Sequence, residues 1–301
     1  MNILTTTSNF DTGGFPEEFK VIKNPYKRKL TEDESIQLYQ EYKPVGIIAG
    51  VEPITRRVLE AGKQNGLRVI SRCGVGVDSI DLMAAKELGI IVRITPNAPV
   101  VSVAELTLSL ILAVSRNLIN LDKLVRDGGW KGNTGFLVSG KTVGIIGCGR
   151  IGSYVAKLLK AMGCNILGYD PYINSHDICK MSSFETLMTE SDIITLHIPY
   201  TKENHHIINK NVIDRMKPGA IIINCARGGL IDEEALYNAL KEGKLAGAGL
   251  DCFENEPYRG KLCELDNVIM TPHAGSSAKE GRALMEAEAR DNLIEELNKL
   301  F

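Results

Sequence analysis

The sequence predicts an α/β protein with two parallel-sheet lobes, and three observations carry that prediction. Short β-branched and apolar runs alternate with helical patterns along most of the chain, as βα units with parallel pairing require. At 301 residues the chain exceeds what one hydrophobic core normally organises, so two lobes are expected. Two separate βα series are visible, one on each side of a long apolar segment at 101–125.

In the first series Val45–Ala49 reads as a strand and Ile54–Gln64 as the helix after it. Arg68–Ser71 reads as a strand ending on the glycine-bearing turn Arg72-Cys73-Gly74-Val75-Gly76. Ile80–Leu88 is helical, and Ile90–Ile94 returns to strand before Pro96. From Val101 to Val125 the apolar residues recur at one continuous helical spacing. Leu106, Leu110, Val114 and Leu121 share one face, while Leu108, Ile111, Leu112 and Leu118 fill others. A helix apolar on most of its circumference must be covered, by the core or by a second subunit. Polar Asp127–Gly135, with the single tryptophan Trp130, reads as a loop.

The second series begins at Lys141–Gly147, followed by a helix over Ser153–Met162. Strands are expected at Asn165–Asp170, Ile193–Ile198, Ala220–Asn224, Gly247–Asp251 and Val268–Thr271, and Ala278–Leu300 is the closing helix. No repeat or long linker separates the lobes. The chain therefore crosses between them near Pro96–Pro99 and near Gly275, which are the expected hinges. This places one domain at 1–98 plus 275–301 and the other at 99–274.

A net charge of -2 offers no basic surface for nucleic acid and no excess for an anionic membrane. No apolar stretch reaches the roughly 18 residues that span a bilayer. Met1–Phe10 lacks the basic start and apolar run of a signal peptide. The seven cysteines are odd in number and lack C-x-x-C or Cys/His metal spacing. A cytoplasmic location with reduced thiols and no metal site is expected.

Gly147-Cys148-Gly149-Arg150-Ile151-Gly152 is a G-x-G-x-x-G pattern. Alone it is weak, because with 29 glycines in 301 residues it arises by chance in roughly a quarter of such chains. Its context is specific. The strand Thr142–Ile146 precedes it, a helix follows, and Asp170 ends the next strand about twenty residues on. Gly147 permits the tight turn, Gly149 admits close approach of a pyrophosphate, and Gly152 lets helix pack on strand. The N–H groups of the first helical turn attract phosphate. Asp170 would accept hydrogen bonds from a ribose diol and repel a 2′-phosphate, so NAD is expected rather than NADP.

Ligands of open α/β sheets bind beyond the carboxyl ends of the strands. Three residues just past strand patterns form a chemically coherent set there: Arg227, Glu256 and His273. Reducing a 2-oxo acid needs a hydride donor, a proton donor and a cation for the carboxylate. Histidine suits proton transfer near neutral pH, a neighbouring carboxylate favours an imidazolium, and arginine offers a planar fork to a carboxylate or developing alkoxide. Among the other histidines, His205 and His206 sit in polar sequence and read as solvent-exposed, and His176 lies in an irregular stretch. His197 ends an apolar strand and is the second choice for the proton role.

These residues carry a resemblance to the D-isomer-specific 2-hydroxyacid dehydrogenase family, of the phosphoglycerate dehydrogenase type. Arg72–Asp81 resembles its substrate-carboxylate loop, and Ser102–Leu106 the start of its first cofactor-domain helix. Gly140–Gly152 with Tyr169-Asp170-Pro171 resembles its cofactor signature. Asn224–Leu230 is similar to its arginine motif, Gly249–Pro257 to its glutamate motif and Thr271–Gly275 to its histidine motif. The resemblance implies two Rossmann-like domains, a discontinuous flavodoxin-like substrate lobe and an NAD-binding lobe.

It further implies Arg227 as the substrate-binding arginine, His273 as acid/base and Glu256 as its partner. Val75 and Gly76 would present N–H groups to the carboxylate, with Arg72 beside them, and Asp251 would bind the nicotinamide amide. The cofactor set is completed by Arg150, Ile151, Pro199, Cys225, Ala226, His273 and Gly275. The 101–125 helix corresponds to the family's dimerisation element, so a homodimer is expected.

The expected reaction is hydride transfer between NAD(H) and a small 2-hydroxy or 2-oxo acid in the cleft between the lobes. Hydride adds to the carbonyl carbon while protonated His273 donates to its oxygen. 3-Phosphoglycerate is one candidate substrate. Members acting on it often carry arginine where Gly50 stands, have Asn where Ile94 precedes Thr95-Pro96, and in serine-inhibited relatives extend beyond the position of Phe301. Two alternatives stay open: an NAD(H)-sensing, corepressor-like binding protein, and a phosphite dehydrogenase-like oxidoreductase. Formate enzymes typically have glutamine where Glu256 stands. Cys148, Cys225 and Cys252 near the expected cofactor raise a thiol switch, against which stands simple apolar packing.

Overall fold

The structure, a computed structural model, describes residues 1–301. Two compact units emerge, Met1–Pro99 with Ser277–Phe301, and Val100–Ser276.

The first unit contains β1 (Asn2–Thr5), β2 (Lys20–Lys23), α1 (Glu32–Tyr42), β3 (Gly46–Ala49), α2 (Arg56–Gln64), β4 (Val69–Arg72), α3 (Leu82–Glu87) and β5 (Ile91–Ile94). All strand pairs are parallel, in the order β2-β1-β3-β4-β5, which is the flavodoxin-like order. Both faces of a parallel sheet must be covered, and its central strands are almost wholly buried. One face packs Ile47 and Ile70 against Leu38, Tyr39, Val58, Leu59 and Ala84 from α1, α2 and α3. The chain's last helix covers the other face with Met285, Ala289, Leu293 and Leu297. Capping sets the helix starts. The Asp81 side chain accepts the Ala84 N–H at 2.8 Å, so α3 begins two residues later than the apolar pattern suggests.

The second unit contains α4 (Val100–Ser115), α5 (Leu118–Arg126), β6 (Thr142–Ile146), α6 (Arg150–Ala161), β7 (Asn165–Tyr169), β8 (Lys180–Met181), α7 (Phe184–Glu190), β9 (Ile193–Leu196), α8 (Lys210–Arg215), β10 (Ala220–Asn224), α9 (Glu233–Lys241), β11 (Leu245–Leu250) and β12 (Val268–Met270). Helix α10 (Lys279–Leu300) closes the chain within the first unit. The second sheet is also all parallel, in the order β12-β11-β10-β9-β6-β7-β8. The α/β class with two Rossmann-like parallel sheets is thus what the chain forms.

The single helix expected over 101–125 is corrected to two. Asn117 takes φ 50°, a left-handed conformation that asparagine tolerates better than most residues, and the axes of α4 and α5 differ by 62°. Ser115 gives its carbonyl to the Phe136 N–H at 3.0 Å. Nor is the segment covered all round. α4 buries Val103, Ala104, Leu110 and Ile111, whereas α5 buries no residue. No single helix in the chain is long and apolar enough to cross a membrane, and only the bent α4–α5 pair passes that test, jointly and by composition.

Candidate active site

Chain order reverses about the β6–β9 pair, with β7 and β8 on one side and β10, β11 and β12 on the other. Loops leaving the carboxyl ends of β6 and β9 diverge at such a switch point and leave a crevice. Gly147 leaves β6 with φ 96°, and a Cβ there would stand 2.7 Å from the His197 backbone. A Cβ on Gly152 would stand 1.9 Å from the Gly147 carbonyl oxygen. Both positions accept only glycine.

Gly149 differs. Its φ is -71°, ordinary for any residue, and an added Cβ would meet no heavy atom within 4 Å. Neither the backbone nor any protein neighbour requires glycine there, which suits a position over which a ligand packs closely. Gly149 also caps α6 without a side-chain hydrogen bond. The first-turn N–H groups of Arg150, Ile151 and Gly152, at the positive end of the helix dipole, therefore lack a capping side chain. The cradle fits a pyrophosphate.

Asp170 follows β7 and fastens the cradle. Its Oδ2 accepts the Cys148 N–H at 3.0 Å and its Oδ1 accepts the Tyr172 N–H at 2.9 Å. Each carboxylate oxygen keeps acceptor capacity for a hydroxyl.

The reactive candidates come from loops after β10, β11 and β12. Asn224, buried at the end of β10, accepts the Ala226 N–H at 3.0 Å through Oδ1 and donates from Nδ2 to the Arg227 carbonyl at 2.7 Å. This asparagine turn sets the direction in which Arg227 leaves the sheet. The Arg227 guanidinium donates to the Ala226 carbonyl at 2.7 Å. The loop packs directly on the segment after β11, since a Cβ on Gly228 would stand 2.1 Å from the Phe253 carbonyl group.

Asp251, 1% exposed, is held by three donors. It accepts from Thr271 Oγ1 at 2.5 Å, from the Ala274 N–H at 2.7 Å and from the Gly275 N–H at 2.8 Å. It thereby fixes the turn that carries His273. His273 itself takes φ 51°, a strained state for a residue with a Cβ, held by donation of its N–H to the Asp251 and Thr271 carbonyls. The turn brings His273 Nδ1 to 3.1 and 3.0 Å from the two Glu256 oxygens. Glu256 is held in turn by the Phe253 N–H at 3.1 Å. Both carboxylate oxygens face Nδ1, so Nε2 is the nitrogen left to face outward. The side chains of His273 and Glu256 remain 47% and 39% exposed, enough to meet a solute.

Other expected residues lie on the loops after β9 and β10. Cys225 is buried, Ala226 half-buried and Pro199 exposed, with the Pro199 carbonyl taking the Asn204 amide at 2.7 Å. Sequence reasoning missed Asn224 and Thr271, whose work is to orient the loops. Their signals were present, in an asparagine at a strand end and a threonine before Pro272.

In the first unit, Arg72 ends β4 and turns its guanidinium onto its own loop, donating to the Gly76 carbonyl at 3.0 Å and to the Cys73 carbonyl. Gly74, at φ 143°, leaves room for this, since a Cβ would stand 2.8 Å from Arg72 Nη1. Val75 is exposed at the tip and Gly76 is half-buried.

His197, the second choice for the proton role, is unsuited to it. Burial holds its imidazole down at about 3, its Nδ1 is buried without a partner, and its Nε2 lies 3.0 Å from Thr195 Oγ1. It is neutral throughout the range where dehydrogenases work. Because the folded state favours the neutral ring, this contribution to stability is full above the ordinary value of about 6.5 and is lost as pH falls from there toward about 3. Urea unfolding should show a lower midpoint at pH about 4.5 than at pH about 7.5, and a His197→Leu variant a smaller drop.

The neighbouring thiols are held protonated. Burial pushes Cys225 up to about 12 and raises Cys252, while Cys148 is raised by its hydrogen bond with Cys179 and by burial. Since the thiolate is the reactive form and the metal ligand, these cysteines behave as packing.

Comparison with known proteins agrees with this architecture. The NAD-binding domain model of the D-isomer specific 2-hydroxyacid dehydrogenases matches residues 108–275. The D-3-phosphoglycerate dehydrogenase of Methanocaldococcus jannaschii is 47% identical over 261 residues, which cover 84% of this chain and 49% of that protein. The hydroxypyruvate reductase of Thermotoga maritima is 42% identical over 275 residues, 89% of each chain. The chain thus spans about half of the first relative and most of the second. The crystal structure of TT0316 protein from Thermus thermophilus superposes with a TM-score of 0.86 at 35% identity, over 98% of this chain and 96% of that one. With the nucleotide cradle, the switch-point sheet and the His273–Glu256 pair in one chain, and a family model matching more than half of it, this protein belongs to the D-isomer-specific 2-hydroxyacid dehydrogenases.

Proposed function

We propose that this chain interconverts a small 2-hydroxy acid and the corresponding 2-oxo acid with NAD(H). One observation carries the reading: the His273 ring is oriented by both oxygens of Glu256, beyond the carboxyl ends of the sheet that carries the Gly147–Gly152 cradle. When bound, the nicotinamide supplies or accepts the hydride at the substrate C2. The chain's own residues do the rest. The N–H groups of Arg150, Ile151 and Gly152 hold the pyrophosphate, and Asp170 holds the adenosine ribose. Pro199, Cys225, Ala226, Asp251 and Gly275 shape the nicotinamide end.

Arg227 binds the substrate carboxylate and the developing alkoxide. Val75 and Gly76 give N–H groups to the carboxylate, and Arg72 acts by holding their loop in shape. His273 Nε2 donates a proton to the substrate oxygen in reduction and takes it back in oxidation, with Glu256 fixing the ring.

The test is purified protein with NADH or NADPH and a panel of glyoxylate, pyruvate, hydroxypyruvate, phosphohydroxypyruvate and, for the oxidative direction, phosphite. Cofactor absorbance reports turnover. Turnover of at least one 2-oxo acid with preference for NADH supports the reading. Nucleotide binding without turnover on any oxo acid contradicts it in favour of an NAD(H) sensor, and activity on phosphite alone contradicts it in favour of that oxidoreductase.

The reading includes a homodimer through the 101–125 segment. Val101, Leu112, Leu118 and Ile119 are 43%, 37%, 56% and 55% exposed, an apolar run of the kind that marks an interface. Light scattering should give twice the chain mass, and an Ile119→Glu, Leu118→Glu variant should give the monomer. The seven free thiols fit a reducing cytoplasm, the location this reading adopts.

A further inference from the structure

We infer that His205, His206 and Glu254 form a binding site for a first-row divalent cation such as zinc, outside the residues assigned to the reaction. Consecutive side chains on regular backbone point apart. Here His206 takes φ 53°, a strained value for a residue with a Cβ, fixed by its N–H donating to the Gly229 carbonyl at 2.7 Å. The two imidazoles stack, with ring centroids 3.8 Å apart and 25° between planes. His206 Nε2 meets Glu254 Oε1 in close contact. One donor atom from each of His205, His206 and Glu254 lies within 4.8 Å of the others. Ligand atoms about 2.0–2.2 Å from zinc stand roughly 3.4 Å apart, so an ion would be held once the two rings turn out of their stack and aim one nitrogen each at it.

Supporting contacts are those a metal ligand needs. Tyr200 Oη sits 3.3 Å from His205 Nδ1, which would leave Nε2 as the ring nitrogen for an ion. The Glu254 N–H donates to Glu233 Oε1 at 2.8 Å, and Glu233 interacts electrostatically with both Glu254 and His206. A second carboxylate thus adds negative charge beside the imidazoles. Two imidazoles and a carboxylate select zinc, cobalt or nickel over magnesium or calcium. A bound ion would tie the 200–206 loop to the turn at 253–256, and through His206 to Gly229, so it would brace both segments that carry Arg227 and Glu256.

The experiment is full-length protein stripped with a chelator, titrated with zinc by calorimetry and with cobalt by visible absorption. One ion per chain is expected, with nitrogen-ligated cobalt bands. Zinc should raise the melting temperature. His205→Ala, at an exposed position, and Glu254→Gln each remove a ligand and should weaken binding by more than the about 10- to 100-fold that loss of an outer-shell partner costs, and abolish the thermal shift. His273→Asn, which breaks the Cys252–Glu256–His273 group, should leave zinc affinity unchanged. No binding by the wild type, unchanged affinity in both His205→Ala and Glu254→Gln, or loss in His273→Asn would each overturn the assignment. None of these readouts uses turnover, so the outcome is independent of the proposed reaction.

Discussion

Replacing His273 with alanine should lower kcat on the best 2-oxo acid by about 10²- to 10⁴-fold, the usual worth of a positioned general acid. NADH affinity should stay within a few-fold of wild type. The split follows from the geometry. His273 reaches the substrate side through Nε2, while the turn beneath it is held by Asp251, through the Ala274 and Gly275 N–H groups. Removing the ring leaves that scaffold in place. Glu256 acts only by holding Nδ1, so adding Glu256→Ala to the His273→Ala variant should cost little more, because residues that work as one unit are not additive. Steady-state kinetics beside NADH fluorescence titration check both statements.

The second large effect is a contrast between two glycines of the same cradle. Gly152→Ala places a methyl 1.9 Å from the Gly147 carbonyl oxygen, and neither backbone can retreat without moving β6 against α6. A loss of about 1–3 kcal/mol is expected from such overpacking, together with loss of NADH binding. Gly149→Ala meets nothing within 4 Å, so stability should change by less than about 1 kcal/mol, the range of N-cap exchanges. Yet its methyl enters the space assigned to the pyrophosphate, and NADH affinity should fall at least about tenfold, or 1.4 kcal/mol. Denaturant unfolding and NADH titration on both variants separate a glycine required by the protein from one required by its ligand.

The second βα series is legible in the sequence because its strands are apolar on both faces and its glycines sit at a fixed spacing. Asp170, Arg227, Glu256 and His273 stand out because each polar residue follows such a strand. The N-terminal part is harder to read. No helix lies between β1 and β2, so the strand–helix alternation that marks the later strands is missing there. α1 does carry a signal, the Thr31–Glu34 capping box, with N–H to side-chain bonds of 2.9 and 3.3 Å, and its weak apolar face hides it.

The break at Asn117 is hidden for a different reason. Apolar spacing continues through Arg116 and Asn117 while the backbone turns, and periodicity cannot see a single left-handed residue. Arg72 shows a further limit. Its type and place suggest a ligand contact, but its bonds to Cys73 and Gly76 depend on the path of the loop, which only the fold supplies. The His205–His206–Glu254 grouping joins residues 48 positions apart, and no local pattern announces it.

The central claim is hydride transfer to C2 of a 2-oxo acid with protonation by His273. Its most direct test uses NADH deuterated on the transferring face at C4, with the best oxo acid of the panel, and product examined by NMR. Expected are one deuterium at C2 of a D-configured 2-hydroxy acid, none exchanged with water, and no labelled product from the His273→Ala variant over the same interval. Product of L configuration, label lost to solvent, or full labelling by the His273→Ala variant would contradict it.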